Sequence, residues 1–169
     1  LDTPVGFISE RQILEGGLKN FKLLVVPNAR YVEEKTYGVI KEYIKAGGMI
    51  LATAGSLTYD EHGKNRQTSD FLGPERNQSG LLNSPNKYGQ GKVYHLSGNL
   101  NSEGYTSLLE ILLENTGVRR DIRILDDKEK NSWKVESRSI ELEGKKIVYI
   151  VNLNNEKKRF NLKAKRPIT

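Results

Sequence analysis

The sequence predicts an α/β domain built on a parallel sheet, followed by a small antiparallel β domain. Three observations carry this: an unbroken apolar run at residues 21–27 (FKLLVVP), a segment of helical period from Glu33 closed by Gly47 and Gly48, and a second apolar run at residues 49–53 (MILAT). Apolar runs of that length fit strands covered on both faces. Strand, helix and strand with short joins make the βαβ unit, whose crossover is expected to be right-handed. Beyond Arg119 the periodicity turns to that of β structure, so the boundary is expected between residues 1–118 and residues 119–169.

In chain order, residues 5–9 (VGFIS) read as a short buried strand, and Gly16-Gly17 breaks the chain before the run at 21–27. In the helix that follows, Thr36, Val39, Ile40, Tyr43 and Ile44 fall on one face and acidic residues occupy the first turn. Residues 56–90 are polar and rich in turn formers (Gly63, Gly73, Pro74, Gly80, Pro85, Gly89), which reads as a mobile surface excursion. A strand resumes at residues 92–96 (KVYHL), and Tyr105, Leu108, Leu109, Leu112 and Leu113 describe a helix closed by Gly117. The tail reads as strands around 133–137, 139–142, 146–152 and 159–163, with a turn at Glu143-Gly144. Ile147, Tyr149 and Val151 alternate with Val148 and Ile150, so this strand is apolar on both faces and needs cover on both, as in a small β-sandwich.

Composition narrows the function classes. With 36% hydrophobic and 28% charged residues the 169-residue chain has the balance of a globular protein. The 27 Lys and Arg outnumber the 21 Asp and Glu, giving +6, which raises the question of nucleic acid. The basic residues are scattered, and their one dense run (Lys157, Lys158, Arg159, Lys163, Lys165, Arg166) alternates with Phe160 and Leu162, the pattern of the wet face of a strand; no nucleic-acid partner is expected. The absence of cysteine excludes disulfides, thiolate metal sites and a cysteine nucleophile. No apolar run approaches the ~20 residues of a membrane span, and no membrane partner is expected. No leader is visible at Leu1, and the missing initiator Met suggests a fragment.

In an open α/β sheet the ligand crevice lies at the carboxyl ends of the strands, which directs attention to Glu10, Asn28, residues 54–56 and residues 97–99. Ser56 is the one nucleophile to weigh, with His62 and His95 as possible bases, but Ala54-Gly55-Ser56-Leu57-Thr58 is not a nucleophile elbow and a turn or capping role is the simpler reading. Asp60, Glu61 and His62 form the densest polar cluster, yet consecutive residues seldom point at one ion and no further ligand follows at useful spacing. Gly89-Gln90-Gly91 precedes a strand and not a helix, so it signals a turn and not a phosphate loop. Paired carboxylates for glycoside cleavage cannot be assigned. No catalytic residue, cofactor site or metal site is therefore expected in this chain.

Residues 5–73, with FISE, GGLKNFKLLVVPNA and EYIKAGGMILATAGSLTYDEHGKNRQTSDFLG, resemble the middle, or trimerisation, domain of family 42 β-galactosidases. The pieces that carry the resemblance are the strand from Lys22 to Pro27, the Gly47-Gly48 entry to the next strand, and the segment from Gly55 to Arg66 with Asp60 and Glu61. The tail SRSIELEGKKIVYIVNLNNEKKRFNL resembles the small C-terminal β domain of the same enzymes. The resemblance implies a flavodoxin-like fold of the class I glutamine amidotransferase type without its cysteine, beginning after the first strand expected of that domain. It implies a structural, oligomerising region of a β-galactosidase-type glycoside hydrolase whose two catalytic glutamates lie in a barrel absent from this chain. The partners implied are that barrel, in the same polypeptide, and two further copies in a trimer. The rival readings are an independent hydrolase using Ser56 or the Asp60 cluster, and a carbohydrate-binding module, which clustered exposed Tyr and Trp would favour; Trp133 is the single tryptophan.

Overall fold

The structure is a computed structural model that describes residues 5–118, 122–129, 132 and 134–164. The described chain divides into two compact units: Phe7–Val118, and a second comprising residues 5–6 with the described residues from 122 onward.

The larger unit holds a four-stranded sheet of β1 (Leu23–Val26), β2 (Met49–Thr53), β3 (Asn86–Tyr88) and β4 (Gly91–Leu96), in the order β1-β2-β4-β3. β1, β2 and β4 run parallel, with Leu23 opposite Met49 and Met49 opposite Lys92, while β3 is antiparallel to β4. The helices are α1 (Glu10–Leu14), α2 (Glu34–Lys45), α3 (Gln78–Asn83) and α4 (Ser102–Asn115), with a 3-10 turn at Gly17–Asn20. The expected parallel α/β domain is thus present.

The core forms on both faces of the sheet. All five residues of β2 are buried. Ile50 and Ala52 pack with Ile40 and Ile44 of α2, while Met49 and Leu51 pack with Leu81 of α3 and with Leu108 and Leu112 of α4. Alternation along a strand puts neighbours on opposite faces, so each half of MILAT anchors a different layer. α2 is stopped by backbone geometry. Its C-terminus closes through Gly47 (φ +108), with Gly47 N–H donating to Ile44 O and Gly48 N–H to Tyr43 O, the paired bonds of a Schellman motif. α4 ends the same way at Gly117, as its sequence predicts.

Several expectations need correction. Residues 5–9 are not a strand: Val5 and Phe7 are 69% and 100% exposed, and Ser9 is the N-cap of α1, in a capping box with Gln12. The Ser-x-x-Gln spacing, a helix-start signal, outweighs the apolar residues, which find no strand to pair with. The run at 21–27 is a strand, but only Leu24 and Val26 are buried; β1 is an edge strand with Val25 43% exposed. The segment 56–90 is not a surface excursion. Leu57, Phe71, Leu72 and Leu81 are completely or almost completely buried, and Phe71 meets Tyr37 of α2 and Tyr88 of β3 edge-on at 5.7 and 5.2 Å. The segment also contains α3 and β3, neither of which its polar composition announces.

In the smaller unit, β5 (Ile122–Leu125) pairs antiparallel with β8 (Asn161–Ala164), and β6 (Val135–Leu142) with β7 (Lys145–Asn152). The strands expected at 133–137 and 139–142 are one continuous β6, and the last strand starts at Asn161 and not at Arg159. Glu143 (φ +50) and Gly144 (φ +74) turn β6 into β7, the two left-handed positions a tight hairpin requires. Ile140, Leu142, Ile147, Tyr149 and Val151 share one face of the hairpin and stay exposed, while Val148 and Ile150 on the other are half-buried. Arg119, Trp133, Lys165 and Arg166, which figure in the sequence reading, lie outside the described residues.

The tightest backbone approach in the sheet is at Gly91. A β-carbon there would collide with the carbonyl oxygens of Ile44 and Gly48, and one at Gly89 would strike the Lys45 backbone. The Gly89-Gln90-Gly91 turn therefore serves close packing of β4 against the end of α2. Gly91→Ala is expected to destabilise the chain by about 2–3 kcal/mol through this overlap; a urea midpoint within error of the parent would contradict the packing described.

Candidate functional site

At the carboxyl ends of the parallel strands the chain uses its polar groups on itself. After β1, Asn28 takes a left-handed conformation (φ +52) and its N–H donates to Thr53 Oγ1 at 2.8 Å. After β2, Gly55 (φ +77) and Leu57 (φ +61) make the turn, and Ser56 is 1% exposed with its Oγ donating to the Val26 carbonyl at 2.9 Å. The hydroxyl weighed as a nucleophile thus ties the end of β1 to the turn after β2. Thr58 Oγ1 closes the turn by donating to Gly55 O.

The two loops then run side by side. Leu57 N–H donates to Ala29 O, Tyr59 N–H to Arg30 O, and Val32 N–H to Tyr59 O, so Tyr31 and Tyr59 form a parallel bridge and their rings stack with centroids 5.1 Å apart. Arg66 clamps the assembly. Its Nε donates to Glu34 Oε2 at 2.8 Å, and its two terminal nitrogens donate to Tyr59 O and Val32 O at 2.6 Å each. The guanidinium also lies 4.7 Å from the Tyr37 ring centroid, and its side chain is 8% exposed. A planar fork of donors is what such an arrangement needs, and an ammonium could not reproduce it.

The Asp60 cluster has a structural explanation. Asp60 Oδ1 accepts from Lys64 N–H and His62 N–H, and those bonds hold its carboxyl below the usual aspartate range. Glu61 Oε2 accepts from Glu34 N–H at the start of α2, while Glu10 Oε2 accepts from the adjacent Glu33 N–H. Glu33, the N-cap of α2, makes no side-chain cap of its own, so two distant carboxylates cap the helix where its dipole favours negative charge. Glu10 thus reaches the loop after β1 from the first turn of α1 and not from the end of a strand. The pKa of Glu61 is lowered by its own N–H and then by that of Glu34.

The remaining sequence candidates do not converge on these groups. His95 lies in β4, 7% exposed, with Nδ1 3.0 Å from Gly73 O and Nε2 3.5 Å from Glu75 Oε1, whereas His62 is exposed in its turn. Ser97 N–H donates to Arg76 O, and Gly98 and Asn99 are exposed beyond β4. Among the described residues no group of three His, Cys, Asp or Glu side chains could hold a metal ion, and no helix is long and apolar enough to cross a membrane. A cleft of about 510 Å³ lies at the other end of the strands, between Phe21 and Lys22 before β1 and Gly47 and Gly48 before β2, floored by Val39 and Tyr43 of α2. Its lining also includes Lys19, Lys22 and Glu42. What sequence reasoning missed is the role of Arg66 and the Tyr31–Tyr59 stack, since neither partnership follows from spacing along the chain.

An open α/β sheet with its strand-end loops bonded to one another is the class the fold and site define. No protein-family model matches the chain, nor does any curated protein. Solved structures do. The chain is similar to an exo-carrageenase GH42 from Bacteroides ovatus (21% identity, TM-score 0.60, 96% of this chain and 20% of that one). It is also similar to a catalytic mutant of a GH42 β-galactosidase from G. stearothermophilus (18%, TM-score 0.69, 92% and 29%) and to a β-galactosidase from Bacillus circulans sp. alkalophilus (14%, TM-score 0.63, 85% and 29%). At these identities the likeness is one of fold: this chain has a fold that recurs within GH42 enzymes, and it spans about a fifth to a third of their length.

Two outcomes are expected at this site. Arg66→Ala should destabilise the chain by about 1–3 kcal/mol, because two part-buried carbonyls lose their charged donor, and Arg66→Lys should restore only part of it; a loss under ~0.5 kcal/mol in urea melts would contradict the clamp. The Glu61 cap should show in acid. Its folded pKa is lowered, so its stabilisation is complete above the ordinary glutamate value of 4.5 and is lost as pH falls through the lower folded value. Glu61→Ala should therefore lower the urea midpoint at neutral pH and weaken its fall below pH 4.5; parallel pH curves for the two proteins would remove the cap.

Proposed function

We propose that this chain is a non-catalytic structural and assembly region of a β-galactosidase-type glycoside hydrolase. The observation that carries the proposal is the asymmetry of coverage: 92–97% of this chain is matched by GH42 structures of which it accounts for only 20–34%. In this reading residues 1–118 are the flavodoxin-like domain of class I glutamine amidotransferase type, the tail is part of a sandwich-like β domain, and the catalytic barrel is a partner in the same polypeptide. Ser56 supports the absence of chemistry here, since its buried hydroxyl is committed to Val26 O. A retained α/β fold whose strand-end crevice is filled by its own loops is suited to serve as a contact surface. Self-association of the parent enzyme as a trimer is the assembly proposed, each subunit offering two different patches around a threefold axis.

The purified chain is expected to turn over neither aryl galactosides nor glutamine. Turnover abolished by Ser56→Ala would replace this reading with that of an independent hydrolase. Sedimentation of the full-length parent with and without residues 5–117 addresses assembly: loss of the oligomer on deletion, with the remainder folded, is the expected result, and an unchanged oligomer would end the proposed role.

A further inference from the structure

Five of the exposed large apolar side chains fall on one face of the β6–β7 hairpin. Ile140, Leu142, Ile147, Tyr149 and Val151 are 42–59% exposed, and the register sets Ile140 directly opposite Ile147. The other face, with Val135 buried and Val148 and Ile150 half-buried, holds fewer apolar groups and includes Ser137, Ser139 and Glu141. The hairpin thus turns its more apolar side to water. A two-stranded ribbon is marginal by itself. The five side chains together expose about 500 Å², the size at which an apolar patch commonly marks a contact surface.

We infer that this face is an interface between two copies of the chain, packed sheet on sheet about a two-fold axis. Joining two such faces removes about 1,000 Å² of apolar surface from water, which reaches the lower bound for a specific interface without any further contact. Charge selects the same occupant. The hairpin carries Glu136, Glu141 and Glu143 against Arg138, Lys145 and Lys146, so it offers no net charge to a strongly charged partner, while two copies meet without net repulsion. On the apolar face itself, Glu136 and Arg138 pair at 3.8 Å towards the open end, and Lys145 stands at the turn end opposite Leu142. Among the described residues no carboxylate lies within ion-pair distance of Lys145. Packing the two faces with their strands antiparallel brings Lys145 of each copy to the Glu136 end of the other, whereas a parallel apposition would gather both Lys145 side chains at one end. The side chains of the two inner faces then interdigitate as in a sandwich whose halves come from different copies. The inference is independent of the assembly proposed for the parent enzyme, because that contact is heterologous and this one is isologous.

Sedimentation of the chain from about 5 µM to about 1 mM tests it, and a monomer–dimer equilibrium with Kd on the order of 100 µM is expected of so small an interface. Ile147→Lys combined with Tyr149→Ser should weaken association at least about tenfold, while Phe7→Ser, at a fully exposed site outside the hairpin, should leave it unchanged. A second readout needs no substitution: amide shifts should change with concentration at residues 136–151 and stay fixed within Phe7–Val118. A chain that is monomeric throughout the range overturns the inference and leaves the face to another segment of the parent polypeptide. A dimer that survives the double substitution, is lost in Phe7→Ser, or shows its shifts within Phe7–Val118 overturns it as well. So does assembly of the chain into trimers, a closure that one self-complementary face cannot make.

Discussion

The burial of one five-residue strand governs the larger unit. β2 is buried along its whole length, and its alternate residues serve two layers: Ile50 and Ala52 seat α2, while Met49 and Leu51 seat α3 and α4. Each of the large side chains contributes about 1.5–3 kcal/mol by leaving water, and none can be exposed without opening a face of the sheet. β1 and β4 lie on either side of it, so both inherit their register from β2. The loops that follow β1 and β2 are brought together for the same reason, and the Arg66 clamp and the Tyr31 stack are consequences of that proximity.

The parts of the fold that were legible in the sequence are those whose signal is local and strong. MILAT as a buried strand, the face of α2, its Gly47-Gly48 stop and the Gly117 stop of α4 all rest on the periodicity or backbone freedom of adjacent residues. The misreadings have a different origin. Residues 56–90 look like loop by composition, yet Leu57, Phe71, Leu72 and Leu81 are buried apolar residues that occur singly or in pairs between polar stretches, and so sparse a pattern carries no period. At residues 5–9 the apolar character suggested a strand, whereas the Ser9 and Gln12 pair, which decides the matter, is a two-residue signal.

The candidate site was legible in place but not in content. The strand-end rule directed attention to Asn28 and residues 54–56, and the structure does put them together. Nothing in the sequence could indicate that Ser56 would donate to Val26 O, that Glu61 would cap a helix beginning at Glu34, or that Arg66 would bridge Tyr59 to the segment from Val32 to Glu34. Those partnerships join residues about 27 to 34 positions apart and depend on the loops having already met. Electrostatically the outcome is a rim in which acidic groups are largely consumed as helix caps and turn acceptors, and Arg30 is left without a carboxylate partner among the described residues.

The detour between Thr53 and Gly91 has a kinetic consequence. β1, α2 and β2 are joined by short connections and can assemble from contacts close in sequence, but β4 reaches its place beside β2 only after a long intervening segment has been closed into a ring. Closure entropy rises only slowly with ring length, so the penalty in stability is small, while the delay in reaching the transition state is larger. Because Phe71 and Leu72 belong to the same core as Ile44 and Ile50, the ring cannot be shortened to hasten that step without removing part of what β2 packs against. Folding is therefore expected to divide into an early β1–α2–β2 nucleus and a late docking of β4, with substitutions at Ile44 slowing refolding and those at Val93 chiefly speeding unfolding; equal effects on the two rates at both positions would exclude that order.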